Sequence, residues 1–462
     1  PRGCHNPMPH NDGVLFKHAI TPHPLCVPAR ISFWTSQFPH SHGSRRNETL
    51  MPPDAVHAFQ LWKEAGYHCG LIGKNHCFKT DEDVALFDTW CEMGHGGVNE
   101  AMLKTKGLEW VQPHEAILEA HATRRNLPHK TPRFAYGATD APLACYSSGL
   151  LAAQTTRFLE VHKDEPFALW LSFPDPHEPW EAPRKYFDRF SPDKIDLPPW
   201  RDGEFTDEQA PERNRILYEM MGVEEDSEAD VYGVMAAYYG MTQFLDDSIG
   251  QILDALDRLK LRENTIVVFC SDHGDMMGEH RMQCKGGVFY DCLTRVPLIV
   301  SYPGQVQSGV VDESMVNLID IVPTLLQLQG MDVPRSMHGV ALPTVTDAEP
   351  RDAAFSEYGA GGPAYTLEDL RQLEKPYGRK ALMHSLRARE AEGRRKMVRT
   401  KTWKYVHDPM GDKDELYDLI NDPWELYNVV DDATHINVLA DLRLKLANWS
   451  IETEDAKPVP LP

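Results

Sequence analysis

Five places in the chain carry side chains able to hold an anionic group against a nucleophile and move protons around it. They are Cys26-Val27-Pro28-Ala29-Arg30, the pair Lys74 and His76, His177 between Pro176 and Pro179, the pair Asp272-His273, and Lys285. Each has a plain alternative. A lone cysteine is usually a small inert core residue, a lysine is usually a solvated surface charge, and an aspartate is a favoured helix cap. A histidine between prolines is most often only a loop residue. What favours chemistry is convergence: cations, a carboxylate and imidazoles fall just past apolar strand patterns, in company with one cysteine.

The elements that must position these groups alternate between helical and strand patterns, which predicts helices covering a largely parallel sheet. Residues 54–65 read as a helix with Asp54 as N-cap and Gly66 as its stop. Residues 69–73 then read as a short buried strand. Residues 167–173 read as a clearer buried strand closed by Pro174, and 230–259 as a long amphipathic helix. The β-branched run 265–270 ends at Ser271-Asp272-His273-Gly274. Ligands in open α/β sheets gather at the carboxyl ends of strands, where these polar residues fall. A strand at 296–300 and a helix at 320–329 follow. Residues 345–395, charged and broken by Gly and Pro, mark a boundary, after which a strand at 403–406 and a helix at 435–451 are expected. The expected fold class is therefore α/β. A large mixed, mostly parallel sheet sandwiched by helices occupies 1–345, and a smaller α+β subdomain with an antiparallel sheet and a helix occupies 346–462.

Composition narrows the function class. The chain has 462 residues, more than one core usually organises, and a formal net charge of −22. That charge argues against nucleic acid, whose phosphates a binder neutralises with clustered Lys and Arg. It also works against long-range attraction of an anionic substrate, so local cations would have to reverse the field. No apolar run approaches the ~20 residues of a membrane-spanning helix. Nine cysteines without CxxC or zinc spacing speak against a disulfide scaffold and for buried thiols. The start, Pro1-Arg2-Gly3-Cys4, carries neither an initiator Met nor a signal-peptide pattern, so the compartment stays unread.

The segments resemble, in order, the signatures of the type I sulfatases, a formylglycine-dependent family of the alkaline phosphatase superfamily. Cys26-Val27-Pro28-Ala29-Arg30 is similar to C-x-P-x-R, whose cysteine is oxidised to formylglycine, and Phe38-Pro39-His40-Ser41-His42-Gly43 resembles the stretch that follows it. Gly66-Tyr67-His68-Cys69-Gly70-Leu71-Ile72-Gly73-Lys74-Asn75-His76 resembles G-Y-x-T-x-x-I-G-K-x-H, with Cys69 where Ser or Thr is usual. Pro176-His177-Glu178-Pro179 matches PHxP, and Ser271-Asp272-His273-Gly274-Asp275 with Lys285 matches SDHGD…GK. Asp414-Glu415-Leu416-Tyr417-Asp418-Leu419 with Asn421-Asp422-Pro423 resembles the family's ending.

The resemblance implies an alkaline phosphatase-like fold and hydrolysis of sulfate esters through a formylglycine gem-diol made from Cys26. One hydroxyl attacks sulfur and the second collapses to the aldehyde, ejecting sulfate. It implies a divalent metal, Ca2+ by preference with Mg2+ or Mn2+ as alternatives, ligated by Asp272 and His273. Arg30 would steady the diol, Lys74 and Lys285 would bind sulfate oxygens, and His177 or Lys285 would protonate the leaving alcohol. His76 would take the diol proton, and Asn47 is a weaker candidate for substrate contact. The implied partners are a sulfated small molecule or carbohydrate and, during maturation, a formylglycine-generating enzyme.

One feature departs from the pattern. The family's first strand ends in acidic metal ligands ahead of a stretch resembled here by Gly3-Cys4-His5-Asn6-Pro7. Those ligands would precede residue 1, so the expectation is a sequence shortened relative to the working enzyme. Two rival readings follow: a phosphonate monoester or phosphodiester hydrolase of the same superfamily, and an inactive sulfatase-like binding protein. Lys74 and His76, where phosphonate hydrolases tend to carry Tyr and Thr, favour the sulfatase. Substrate choice would sit in loops 91–131 and 202–228, whose composition names no ligand.

Overall fold

The computed structural model describes residues 12–99, 102–103, 105–111, 113–131, 133–224, 226–362, 366–372 and 393–454. The stretch from Gly3 to Pro7 and residues 363–365 and 373–392 of the charged segment lie outside the described residues. The chain enters through strand β1 (Val14–Ile20), crosses a short loop and starts helix α1 (Cys26–Thr35). Helix α2 (Ala58–Glu64) leads into β2 (His68–Gly73), followed by β3 (Thr89–Glu92) and α3 (His114–Arg124). Helix α4 (Ser147–His162) precedes β4 (Phe167–Ser172), and the 31-residue α5 (Glu228–Arg258) precedes β5 (Val267–Cys270). Then come β6 (Leu298–Ser301), β7 (Val310–Asn317) and α6 (Ile321–Leu328). The last part holds β8 (Ala353–Tyr358), β9 (Arg395–Thr400), β10 (Trp403–His407), β11 (Glu415–Asp418) and α7 (Ile436–Glu452).

Most of these match the elements expected from periodicity, and the start of α2 does not. Asp54 sits in a turn closed by the Ala55 N–H on the Pro52 carbonyl at 3.0 Å. The helix begins after His57, whose N–H is accepted by the Gln60 side chain at 3.2 Å. Two consecutive prolines, Pro52 and Pro53, place the turn there and delay the helix.

The mixed sheet is laid out as two blocks among the described residues. In one, β1 pairs parallel with β7 and antiparallel with β6, and β6 pairs antiparallel with β5. In the other, β2 is central and pairs parallel with β3 and β4. Gly73 lies opposite both Glu92 and Ser172, so β2 and β4 end together. The facing edges, β4 and β5, have half-buried side chains from Phe167 to Leu171 and from Val267 to Cys270, although such runs of apolar residues usually fill the middle of a sheet. Around the blocks, α1 and α2 bury Trp34, Phe59 and Trp62 against Leu71 and Phe78. On the other face, α4 and α5 bury Leu151, Phe158 and Ile252. Beyond residue 345, β8 to β11 form an antiparallel sheet in sequence order, on which α7 packs through Leu442, Leu446 and Trp449. Phe38 and Ile319 join that core, tying it to the segment after α1. No helix among the described residues is long and apolar enough to cross a membrane.

The ladder places the His68 N–H on the Pro166 carbonyl and the Lys74 N–H on the Ser172 carbonyl. Amides of Ala168 and Trp170 therefore face β2, while those of Phe167, Leu169 and Leu171 face the open edge. In hydrogen exchange followed by NMR, the latter three are expected to exchange faster than the former two. Equal protection at all five would show that the edge is covered.

Candidate active site

Cys26 is the first residue of α1, where unpaired backbone N–H groups leave partial positive charge. The helix start is set locally. Leu25 is extended, its carbonyl accepts the Ala29 N–H at 3.2 Å, and the Asn47 side-chain oxygen accepts the Val27 N–H at 3.0 Å. Cys26 is buried, at 2% exposure. Its sulfur lies 3.0 Å from His273 Nε2 and accepts from Lys74 Nζ at 3.4 Å. His177 and His76 lie close enough to act on its charge.

Lys74 reaches this point because β2 ends in Gly73, with φ of +105°. A Cβ there would stand 2.0 Å from the Ser172 carbonyl oxygen, so only glycine lets the strand turn this close to β4. His76 follows at φ of +74°, a sparsely populated conformation for a residue with a side chain. Arg30, one turn after Cys26, donates from Nε to Asp272 Oδ2 at 2.7 Å. Its Nη1 donates to the Lys74 carbonyl and to Ser172 Oγ, both at 2.9 Å. One side chain thus joins the ends of β2 and β4 to the loop after β5.

No helix follows Asp272 and His273, so capping does not account for them. His273 Nδ1 donates to the Gly274 carbonyl at 2.8 Å, which fixes the tautomer and leaves Nε2 for the sulfur. Lys74 and Lys285 are both buried, against the usual fate of lysine. Lys285 stands 3.4 Å from Asp275 and 3.8 Å from Glu178. His177 Nδ1 lies 2.8 Å from a Glu178 carboxylate oxygen, and its ring stacks on His95 with centroids 3.6 Å apart. His95 in turn meets His76 edge-on at 4.8 Å.

These neighbours set the charges. Burial pushes the Cys26 thiol up, but the Lys74 ammonium, His273 and the imidazole hydrogen bonds outweigh it and hold it well below the usual range. Burial opposes ionisation of Asp272 too, and Arg30, His273 and Lys74 overcome it and keep the carboxylate charged. Glu178, although buried, is brought down to about 2 by His177 and Lys285. Burial lowers His76 to about 4, so this imidazole is neutral at pH 7. The site therefore stabilises negative charge at position 26 and beside it, within a chain whose balance is strongly acidic.

The Cys26, Asp272 and His273 ligand atoms lie within 4.8 Å of one another. An ionised carboxylate, an imidazole with its second nitrogen pinned, and a donor at position 26 suit a divalent cation, as part of a shell. Ca2+ takes six to eight oxygens, more than these residues supply.

All the residues singled out by sequence meet here except Asn47, whose known engagement is with the head of α1. Sequence reasoning missed His95, Glu178, Asp275 and Arg124. Glu178 and Asp275 stand inside the quoted motifs and were passed over. Arg124, on α3, is buried between Asp175 at 2.9 Å and Glu181 at 3.5 Å and so braces the loop that carries His177. His95 and Arg124 come from the 91–131 segment, where only a Gly-rich stretch around a histidine, Gly94-His95-Gly96-Gly97, hinted at a site. Of the cysteines, the eight described ones are free, six of them buried.

A family model described as Sulfatase matches residues 7–331. A choline-sulfatase of Rhizobium meliloti is 28% identical over 463 residues, covering 96% of this chain and 81% of that protein. An arylsulfatase of Clostridium perfringens is 28% identical over 369 residues, covering 76% and 74%. Among solved structures, a phosphonate monoester hydrolase of Agrobacterium radiobacter superposes with a TM-score of 0.76 at 25% identity, covering 96% of this chain and 90% of that one. A sulfatase-like protein of Bacteroides thetaiotaomicron superposes at 0.70 and 23%, covering 98% and 88%.

The electrostatics around Cys26 are open to direct measurement. In protein whose Cys26 is left as cysteine, thiolate absorbance near 240 nm is expected to titrate well below the ordinary thiol range. Lys74→Met is expected to move that titration upward, and an unmoved curve would show that Lys74 does not set the charge.

Proposed function

The chain belongs to the sulfatase family and is a sulfuric ester hydrolase; from that premise we propose that it acts through a formylglycine made from Cys26. The observation that carries this reading is the contact of Cys26 with Lys74, His273, His76 and His177 at the carboxyl ends of the strands. A family cysteine kept only for packing would not need an ammonium at 3.4 Å.

As formylglycine, residue 26 supplies a hydrated aldehyde, one hydroxyl of which displaces the alcohol from sulfur while the other later expels sulfate by C–O cleavage. The side chains around it perform the rest. Lys74 and Lys285 hold the sulfate oxygens and offset the charge that gathers on them. Arg30, fixed at three points, keeps Asp272 and position 26 in register. Glu178 accepts from His177 Nδ1 and orients the ring so that its opposite nitrogen, once protonated, would face the leaving alcohol as the acid. His76, neutral at working pH, receives the diol proton in the release step. Asp272 and His273, with an oxygen at position 26, would hold a divalent cation, which supplies Lewis-acid polarisation of a sulfate oxygen. On this reading the residues before 346 do the chemistry, and those from 346 onward support it from below. The substrate class is a sulfated small molecule or carbohydrate, with choice made by the 91–131 segment through His95.

The likeness to phosphonate monoester hydrolases favours one rival, hydrolysis of phosphonate esters on the same scaffold. Protein produced with a formylglycine-generating enzyme separates the two. Assayed on aryl sulfates, choline sulfate and sulfated sugars against aryl phosphonate esters, it is expected to show the higher kcat/KM on a sulfate. A higher value on the phosphonates would transfer the assignment, and failure of any turnover with aldehyde present at residue 26 would leave a binding protein.

Two quantitative outcomes follow. Lys74→Ala is expected to lower kcat/KM by about 100-fold, the usual size of losing one charged donor to a developing anion. Because a base is lost as pH falls through its pKa, the acid limb of kcat assigned to His76 is expected near pH 4. His76→Asn should remove that limb along with most of the rate.

A further inference from the structure

A second group of metal-binding side chains lies at the opposite end of β2 from Lys74. His68 opens β2, His162 closes α4, and Glu165 stands in the turn from α4 into β4. Ligand atoms of the three lie within 4.8 Å of one another. The Glu165 carboxylate is 2.6 Å from His162 Nδ1 and 3.7 Å from His68 Nδ1. The two imidazole rings have centroids 3.7 Å apart and planes tilted by 34°. Backbone pairing makes the frame rigid: the His68 N–H donates to the Pro166 carbonyl at 2.8 Å, next to Glu165.

We propose that His68, His162 and Glu165 form a second metal site, for a divalent ion of the Zn2+ type. Two imidazoles and a carboxylate with room for water are the donor set such ions prefer, whereas Ca2+ and Mg2+ favour oxygen. The outer contact of His68 fits. His68 Nε2 bonds Thr89 Oγ1 at 3.0 Å, which directs Nδ1 toward Glu165 in the way a second-shell partner orients a ligating histidine. The His162 side chain is only 9% exposed, and its Nε2 is buried with no partner. Its Nδ1 faces the Glu165 carboxylate at 2.6 Å, and a metal bound there would place the ring proton on Nε2. Glu165 is half exposed and gives the ion an entrance. β2 spans about 20 Å at ~3.3 Å per residue, so the ion would sit far from Cys26 and act as a clasp joining α4 to the sheet.

The test isolates this site from the catalytic one. Chelator-treated full-length protein carrying Asp272→Ala and His273→Ala is titrated with Zn2+ against a fluorescent chelator, and with Co2+ read by its visible absorbance. One equivalent of each ion is expected to bind, with a rise in Tm. Adding Glu165→Gln, a half-exposed position where folding is not at stake, should weaken binding at least about tenfold. His162→Gln, checked by circular dichroism, should abolish it. In the otherwise native enzyme, Glu165→Gln should leave sulfatase turnover unchanged. Absence of stoichiometric binding, or binding unaltered by Glu165→Gln, overturns the proposal. Because the readout is metal occupancy, its failure leaves the sulfatase reading untouched.

Discussion

The Arg30 guanidinium is the contact on which the arrangement of the site depends. It leaves α1 one turn after Cys26 and reaches Asp272 beyond β5, the Lys74 carbonyl beyond β2 and Ser172 at the end of β4. The two sheet blocks are not hydrogen-bonded to each other among the described residues, so this fork ties their carboxyl ends together. A lysine could not replace it, since an ammonium has no rigid fork to reach three directions at set angles. Its charge, buried with Asp272, forms a pair whose breaking would strand an ion in the interior.

Local charge runs against global charge. The chain carries a net −22, yet around Cys26 it buries Arg30, Lys74 and Lys285. Burial lowers Lys74 from its ordinary value, while the acidic partners of Lys285, chiefly Asp275, more than offset burial and raise it. The two lysines are therefore unlike. Lys74 faces position 26, with its charge set against Cys26 and Asp272, and Lys285 is anchored between carboxylates.

Much of this was legible in order along the chain. Resemblance to the sulfatase signatures singled out Cys26, Arg30, Lys74, His76, His177, Asp272, His273 and Lys285, several of them just past apolar strands, where chemistry gathers in α/β folds, and the structure brings them together. The helix and strand positions were close except where prolines moved the start of α2. What escaped was tertiary. His95 joins the site by stacking on a ring 82 positions away, and Arg124 by an ion pair across α3 and the loop after β4. Neither contact has a period or a spacing that a linear reading can find. The division of the sheet between β4 and β5 is likewise a matter of pairing, invisible in two strands that both read as central.

The stack of His95 on His177 has a consequence for how such a protein can change. On the proposed reading, His95 would meet the variable part of a ligand and His177 would hand over a proton; the two rings share one face, and His95 also borders His76. Altering the first to accept a bulkier alcohol would tilt the second. Selectivity and turnover would then be geared together, and new preferences would have to be reached through paired replacements rather than single steps.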